Sequence, residues 1–331
     1  MGETVRIGVL GAARIAPMAL LRPARDSTIA SVAAVAARDP ERARRFATKH
    51  GIPRVHASYA ELVDDPEIDA IYNPLPNSHH GLWTLRALAA GKHVLCEKPM
   101  AANAEEAQRM AAAAREAKRV LMEAFHWRYH PVAEQMHQVV VSGELGAIRH
   151  VEAHFCIPLP IPGDIRYRAD LAGGALMDTG CYAVSILRFL AGAEPDVVRA
   201  RAALSSAGVD RRMEADLRFA DGRSGRITCG LLGWPPFRAR ATVIGDLGRL
   251  EVFNPIAPQL GHRLTVFGPG GRRRWRAHGP SSYAGQLDAF VRATRGEPVA
   301  TPGEHGAANM RVIDSIYRAA GLEPRQPAGT S

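Results

Sequence analysis

The chain has 331 residues, 47% of them hydrophobic, a formal net charge of +9 and four cysteines, Cys96, Cys156, Cys181 and Cys229, with no Cys-x-x-Cys pair. That length predicts two domains with cores large enough to fold without staples, and the composition excludes a disordered chain. The cysteine spacing excludes zinc ribbons and disulfide frameworks and fits a reducing cytoplasm; no metal site is read from it.

Val5 to Leu10 reads as a buried strand, and Gly11-Ala12-Ala13-Arg14-Ile15-Ala16 turns into a helix. Its apolar continuation is broken by Arg14 and the glycines, so no membrane span is expected. A second β-branched run covers Ser31 to Ala37, followed by a helix with Asp39 as N-cap, Pro40 at its first position and Gly51 as its stop. Ser58 and Glu61 have capping-box spacing. Ala70 to Asn73 is the next strand, ending at Pro74-Leu75-Pro76-Asn77-Ser78. A helix follows with Leu82, Leu85 and Leu88 on one face and Gly91 as its stop, then the strand HVLCEKP, a helix over about Ala104 to Lys118, and the strand RVLMEAF. Strands alternating with helices at this spacing predict a doubly wound parallel sheet over residues 1–124.

The remainder, 125–331, changes character. A helix from Pro131 ends near Gly143, a proline-rich loop covers Ile157 to Gly163, and Gly173 to Leu190 is helical. From Asp196 to about Ala277, β-like runs are separated by turns such as Asp221-Gly222 and Gly245-Asp246, which predicts a largely antiparallel open sheet. Two helices, near Tyr283 to Thr294 and Glu304 to Ala319, precede a polar, proline-containing tail expected to be loose.

Three stretches carry chemistry. A dinucleotide fingerprint wants a glycine for the tight turn and small residues where the pyrophosphate and helix approach, and Gly11, Ala13 and Ala16 stand there. An acidic residue at the tip of the second strand holds a ribose hydroxyl, whereas an arginine accommodates a phosphate; with Asp39 serving as helix cap, Ala37 and Arg38 favour NADP(H) over NAD(H). Lys98, in Glu97-Lys98-Pro99, ends a strand at the sheet edge where ligands of such folds bind. In the second half, Gly173-Gly174-Ala175-Leu176-Met177-Asp178-Thr179-Gly180-Cys181-Tyr182 puts Asp178 and Tyr182 four residues apart, so in a helix they share a face. They are either satisfied polar core groups or a site. The positive charge is scattered and no aromatic-studded basic helix is present, so no nucleic-acid partner is expected.

Together, VRIGVLGAARIA, Glu97-Lys98-Pro99, MEAFHWRYHP and GGALMDTGCYA resemble the Gfo/Idh/MocA oxidoreductases over nearly the whole chain. Tyr182 stands where many relatives carry histidine. This is similar to the branch with dihydrodiol dehydrogenases, D-xylose dehydrogenases, glucose–fructose oxidoreductase and nucleotide-sugar 3-ketoreductases. The resemblance implies hydride transfer between a nicotinamide and a hydroxyl- or keto-bearing carbon of a sugar, cyclic polyol or derivative, with Tyr182 as acid/base, Lys98 tuning it and Asp178 balancing the lysine or binding a substrate hydroxyl. Cofactor contacts are expected from Gly11, Ala12, Ala13, Arg14, Ile15, Ala37, Arg38, Pro74, Leu75, Asn77, His80, Glu97, Lys98, Trp127, Arg128 and Tyr283, and substrate contacts from Arg166 and Tyr167. The alternatives are a glycosidase or lyase of the same fold that uses bound NAD transiently, and a non-catalytic sensor. The uncovered sheet face of the second half predicts a homodimer or homotetramer.

Overall fold

The computed structural model describes residues 3–161, 163–232 and 236–329; Pro162 of the expected proline-rich loop and Gly233 to Pro235 of the expected β region lie outside the described residues. Two units pack separately. One comprises the chain up to residue 126, residues 283–307 and the residues from 327 on; the other comprises 127–282 and 308–326. The expectation of two consecutive parts divided after residue 124 therefore meets an interleaved packing, in which a late helical segment returns to the first unit.

The first unit holds a six-stranded, all-parallel sheet of β1 (Val5–Leu10), β2 (Ala30–Ala36), β3 (Arg54–His56), β4 (Ala70–Asn73), β5 (His93–Cys96) and β6 (Leu121–Glu123), in the order β3-β2-β1-β4-β5-β6. The order reverses between β1 and β4, and the crevice beyond the carboxyl ends of these two strands is where open sheets bind ligands. β4 and most of β1 are buried on both faces, as helices covering a parallel sheet require. The helix Pro40–His50 begins and ends as its sequence predicts: Asp39 accepts from the Glu41 and Arg42 amides, and Gly51 turns left-handed at φ +71°.

The helix His80–Ala89 departs from expectation. Its buried face is His80, Gly81, Thr84, Ala87 and Leu88, and Leu82 is 38% exposed. Hydrogen bonds reverse the apolar prediction, because Asn73 Nδ2 donates to the His80 carbonyl and to Thr84 Oγ1, at 3.1 and 3.2 Å. Gly81 faces the Glu106 side chain, which a Cβ there would meet at 2.0 Å.

The second unit is built on an eight-stranded sheet of β7 (Ile148–Cys156), β8 (Pro195–Leu204), β9 (Asp210–Phe219), β10 (Ser224–Gly230), β11 (Arg238–Gly245), β12 (Arg249–Phe253), β13 (Arg263–Gly268) and β14 (Gly271–Trp275). The order is β14-β13-β12-β11-β7-β10-β9-β8, antiparallel throughout except for the β7–β10 pair. The interior strand β7 is absent from the sequence reading, although its alternation of apolar and polar residues is that of a half-buried strand. The helix Cys181–Ala191 packs on β7, β10 and β11. On β7, Val151 and Ala153 alternate with His150, Glu152 and His154, and Glu152 bonds both histidines at 3.1 Å. These two hydrogen bonds hold the Glu152 carboxyl well below the usual carboxylate range.

The tail is not loose. Pro324 is buried, Arg325 donates to Asp210 at 2.6 Å in the second unit, and the Ala328 amide donates to the Ser78 carbonyl at 2.8 Å in the first. Its anchors lie more than a hundred residues away in sequence, so its own composition could not announce them. Among the described residues, no helix is long and apolar enough to cross a membrane.

Ile227 lies fully buried on β10, between β7 and β9. Ile227→Ala is expected to lower unfolding stability by about 2–5 kcal/mol, read from urea titrations. A loss within error would show that this face is not core.

Candidate active site

At the end of β1, Gly11 takes φ +86° and its amide donates to the Ala36 carbonyl at 2.6 Å. A Cβ at Gly11 would stand 3.1 Å from the Leu75 side chain and 3.7 Å from the Tyr59 hydroxyl, so both space and backbone favour glycine there. Ala12 and Ala37 are buried together with Ala43, and Phe46 packs on them. Ala13 and Ile15 are half-buried and Arg14 is exposed.

Positive charge gathers at the end of β2. Arg38 is exposed, and its amide donates to the Tyr59 hydroxyl at 3.3 Å. Arg42, one helical turn on, donates to the Ala12 carbonyl at 2.8 Å. Burial raises the Tyr59 pKa against the pull of the Arg38 amide and the Arg38 and Arg42 charges; burial and then Arg38 lower that of His79. Asp39 Oδ1 accepts from the Glu41 and Arg42 amides, so this carboxylate is engaged as a helix cap. This edge offers backbone donors and guanidinium groups to an anionic ligand. Arg42, His79 and Tyr59 escaped the sequence reading, although Arg42 stands four residues after Arg38.

His80 lies between two loops of the same edge. Its Nδ1 is 2.9 Å from the Pro99 carbonyl oxygen and its Nε2 is 2.8 Å from that of Leu75. A neutral imidazole has one N–H and an imidazolium has two. The two carbonyls therefore favour the charged ring, but burial outweighs them and pushes the pKa down to about 4. Leu75 is further tied by its amide to Asn73 Oδ1, 3.4 Å away, while Pro74 is buried and Asn77 half-buried.

Beyond β5, Glu97 is buried and accepts from the Tyr72 hydroxyl at 2.7 Å, and its second oxygen accepts from the Lys98 amide at 3.3 Å. Half-buried Lys98 thus follows a carboxylate whose side chain is braced. Burial and then the Lys98 charge push His126 down to about 3, and His126 stacks on Tyr283 with ring centroids 4.1 Å apart. Burial and then Glu97 raise the Tyr283 pKa.

In the second unit, a π-turn over Leu176–Gly180 opens the helix Cys181–Ala191. Insertions of this kind in helices recur at functional sites. Asp178 accepts from Arg166 Nε at 2.8 Å, and the same guanidinium donates to Asp164 at 3.1 Å. The charge of Asp178 is therefore met by Arg166, a pairing that the sequence reading did not foresee. Tyr182 is buried, with its ring edge-to-face on Phe155 at 5.6 Å. The Tyr167 hydroxyl donates to the Leu159 carbonyl at 2.8 Å. Trp127 is fully buried, and the Arg128 guanidinium lies 3.8 Å from the Phe189 ring centre. Among the described residues, no group of three or more His, Cys, Asp or Glu side chains forms a metal site.

A family model described as the GFO/IDH/MocA oxidoreductase family, NAD-binding Rossmann fold, matches residues 5–125, and one described as the GFO/IDH/MocA C-terminal domain matches 133–251. The chain is 38% identical over 319 residues to D-xylose 1-dehydrogenase (NADP(+)) 2 of Haloferax volcanii, covering 95% of this chain and 96% of that one. It is 35% identical over 343 residues to dTDP-3,4-didehydro-2,6-dideoxy-alpha-D-glucose 3-reductase of Streptomyces violaceoruber, covering 97% and 96%. Among solved structures, a 3-ketoreductase from Actinomadura kijaniata in complex with NADP and TDP-benzene superposes with a TM-score of 0.89 at 30% identity, covering 96% of this chain and 98% of that one.

His80, His93, His126 and His130 are all pushed down by burial, to about 4, 4, 3 and 4. Between pH 6.5 and 4 the unfolded chain binds more protons than the folded one, so stability is full above pH 6.5 and falls as the pH drops through this window. His80→Gln is expected to flatten the slope of unfolding free energy against pH by up to about 1.4 kcal/mol per pH unit. A steeper slope in the variant would show that the two carbonyls hold His80 charged.

Proposed function

From membership of the GFO/IDH/MocA oxidoreductase family, to which this chain belongs, we propose hydride transfer between NADP(H) and a hydroxyl- or keto-bearing carbon of a sugar, cyclic polyol or sugar derivative. The observation that carries this reading is Lys98 at the carboxyl end of β5, following a glutamate held by Tyr72. Gly11 and the Arg38–Arg42 pair beside Asp39, itself engaged as a helix cap, support a dinucleotide with an added phosphate over one with a free ribose hydroxyl. The Haloferax dehydrogenase and the Actinomadura ketoreductase, one named for NADP and the other solved with it, support the same choice.

When bound, the nicotinamide supplies the hydride in reduction and accepts it in oxidation. Tyr182 donates its phenolic proton to the carbonyl oxygen in reduction and recovers it from the alcohol in oxidation. A tyrosine of ordinary pKa near 10 is a poor base at neutral pH. The Lys98 ammonium favours the phenolate and brings Tyr182 toward the working range, while also polarising the substrate oxygen. Asp178, oriented by Arg166, accepts from a neighbouring substrate hydroxyl. Cofactor binding is assigned to the first unit and substrate binding to the second. Four buried cysteine thiols are compatible with a cytoplasmic enzyme, and the open face of the β7–β14 sheet is the proposed homodimer or homotetramer interface.

Tyr182→Phe and Lys98→Ala are each expected to lower kcat by about 10²- to 10⁴-fold with NADPH binding retained. Near-normal turnover in both would remove the acid–base pair. Arg38→Ala is expected to weaken NADPH binding by roughly 10- to 100-fold, the scale of one charge-assisted hydrogen bond, and to leave NADH binding unchanged. Equal loss for both cofactors would place Arg38 away from the added phosphate.

A further inference from the structure

Asp210, the first residue of β9, is fully buried and serves the start of a helix that it does not belong to. Its Oδ2 accepts from the Leu176 amide at 2.7 Å, and its Oδ1 accepts from the Tyr317 hydroxyl at 3.0 Å and from Arg325 at 2.6 Å. Leu176 opens the π-turn that carries Asp178, and that turn has no side-chain cap of its own. A carboxylate at a helix start satisfies an orphan amide and meets the positive end of the helix dipole. Here a different strand provides it.

The surrounding residues are shaped to this contact. Gly174 holds φ +141°, and a Cβ there would stand 2.2 Å from Asp210 Oδ1 and 2.8 Å from the Tyr317 hydroxyl. A Cβ on Gly173 would meet the Arg166 and Arg168 carbonyl oxygens at 2.6 and 2.8 Å. The Asp178 amide donates to the Gly174 carbonyl at 3.0 Å, so the backbone that makes room for Asp210 also sets the start of the Asp178 turn. Arg325 lies with its guanidinium 4.8 Å from the Tyr317 ring centre and brings the compensating charge from the C-terminal tail. Burial pushes the Asp210 carboxyl up against the Leu176 amide and Arg325. Without the cation, a buried carboxylate is left uncompensated.

We propose that Asp210, Tyr317 and Arg325 form a latch that positions the π-turn and with it Asp178 and Tyr182, with Arg325 as the positioning residue contributed by the tail. The inference rests on the reading of Tyr182 as acid/base and extends it to a segment far from Tyr182 in sequence. Arg325 touches no reacting atom in this scheme. It acts by holding the Asp210 carboxyl in place, through the same oxygen that the Tyr317 hydroxyl bonds, while the other oxygen holds the Leu176 amide.

The test is a double-mutant cycle on the full-length protein, with NADPH affinity and thermal midpoint measured for every variant. Arg325→Ala is expected to lower kcat on the order of 10- to 100-fold, the scale of a small misplacement of reacting groups, with NADPH affinity unchanged. Arg325→Lys, which keeps the charge, should restore most of the rate. In a Tyr182→Phe background, Arg325→Ala should cause no further loss. Unchanged kcat in Arg325→Ala, or losses that multiply in the double variant, would overturn the latch while leaving the acid–base reading intact. A wild-type rate in Tyr182→Phe alone would overturn that reading instead, and the cycle is then run against Asp178→Asn, where multiplying losses again count against the latch. If Arg325→Ala does not fold, Arg325→Gln, which keeps a donor without the charge, reads the same quantities.

Discussion

The 2.7 Å hydrogen bond from the Tyr72 hydroxyl to buried Glu97 joins the ends of two neighbouring parallel strands, β4 and β5. It is the contact on which the ligand edge of the first unit depends. β4 leads into the Leu75 loop, β5 leads into Lys98, and His80 meets a carbonyl oxygen from each. The edge is therefore tied at the strand ends by a carboxylate, and in the loops beyond a buried imidazole lies between the two and donates to one of their carbonyls. Lys98 is the residue that this bracing leaves at the edge. A lysine stem has substantial rotamer freedom, and fixing the backbone beneath it is the part of that problem a protein can solve before any ligand arrives.

The second unit repeats the logic with different groups. Asp178 is paired to Arg166, which is paired to Asp164, and the turn beneath Asp178 is tied to Asp210. In both units a carboxylate that does no chemistry itself orients the segment bearing a charged group that could. Such buried charges add little net stability against an apolar replacement, and removing one partner is strongly destabilising. Their value lies in selecting one geometry. The π-turn is the visible sign of that selection, since a regular α-helix would carry Asp178 and Tyr182 on one face without it.

The strong positive charge has a mundane distribution over much of the second sheet. Arg212 and Arg226 pair with Glu214, Arg199 with Asp216, and Arg240 and Arg249 with Glu251. These exposed or half-exposed pairs contribute little each, and they keep a broad polar face evenly charged. Arg38 and Arg42 differ because they flank a turn built from Gly11 and small alanines rather than a strand of alternating charges.

Local sequence determined the parts of this protein that local physics controls. The parallel α/β half, the Asp39 cap and Gly51 stop, the glycine turn at Gly11 and the lysine at a strand end all follow from spacing and residue type, because they depend on neighbours a few positions away. Tertiary structure decided the rest. The central place of β7 is set by its pairing with β10 and β11, far along the chain; the helix after Asn77 buries His80 and Thr84 because Asn73 and a loop carbonyl satisfy them. Arg166 reaches Asp178, and Arg325 reaches Asp210 from a tail whose composition reads as loose. In each case the deciding partner of a polar group lies on a distant segment, and a buried polar group's place depends on that partner, which no local pattern records.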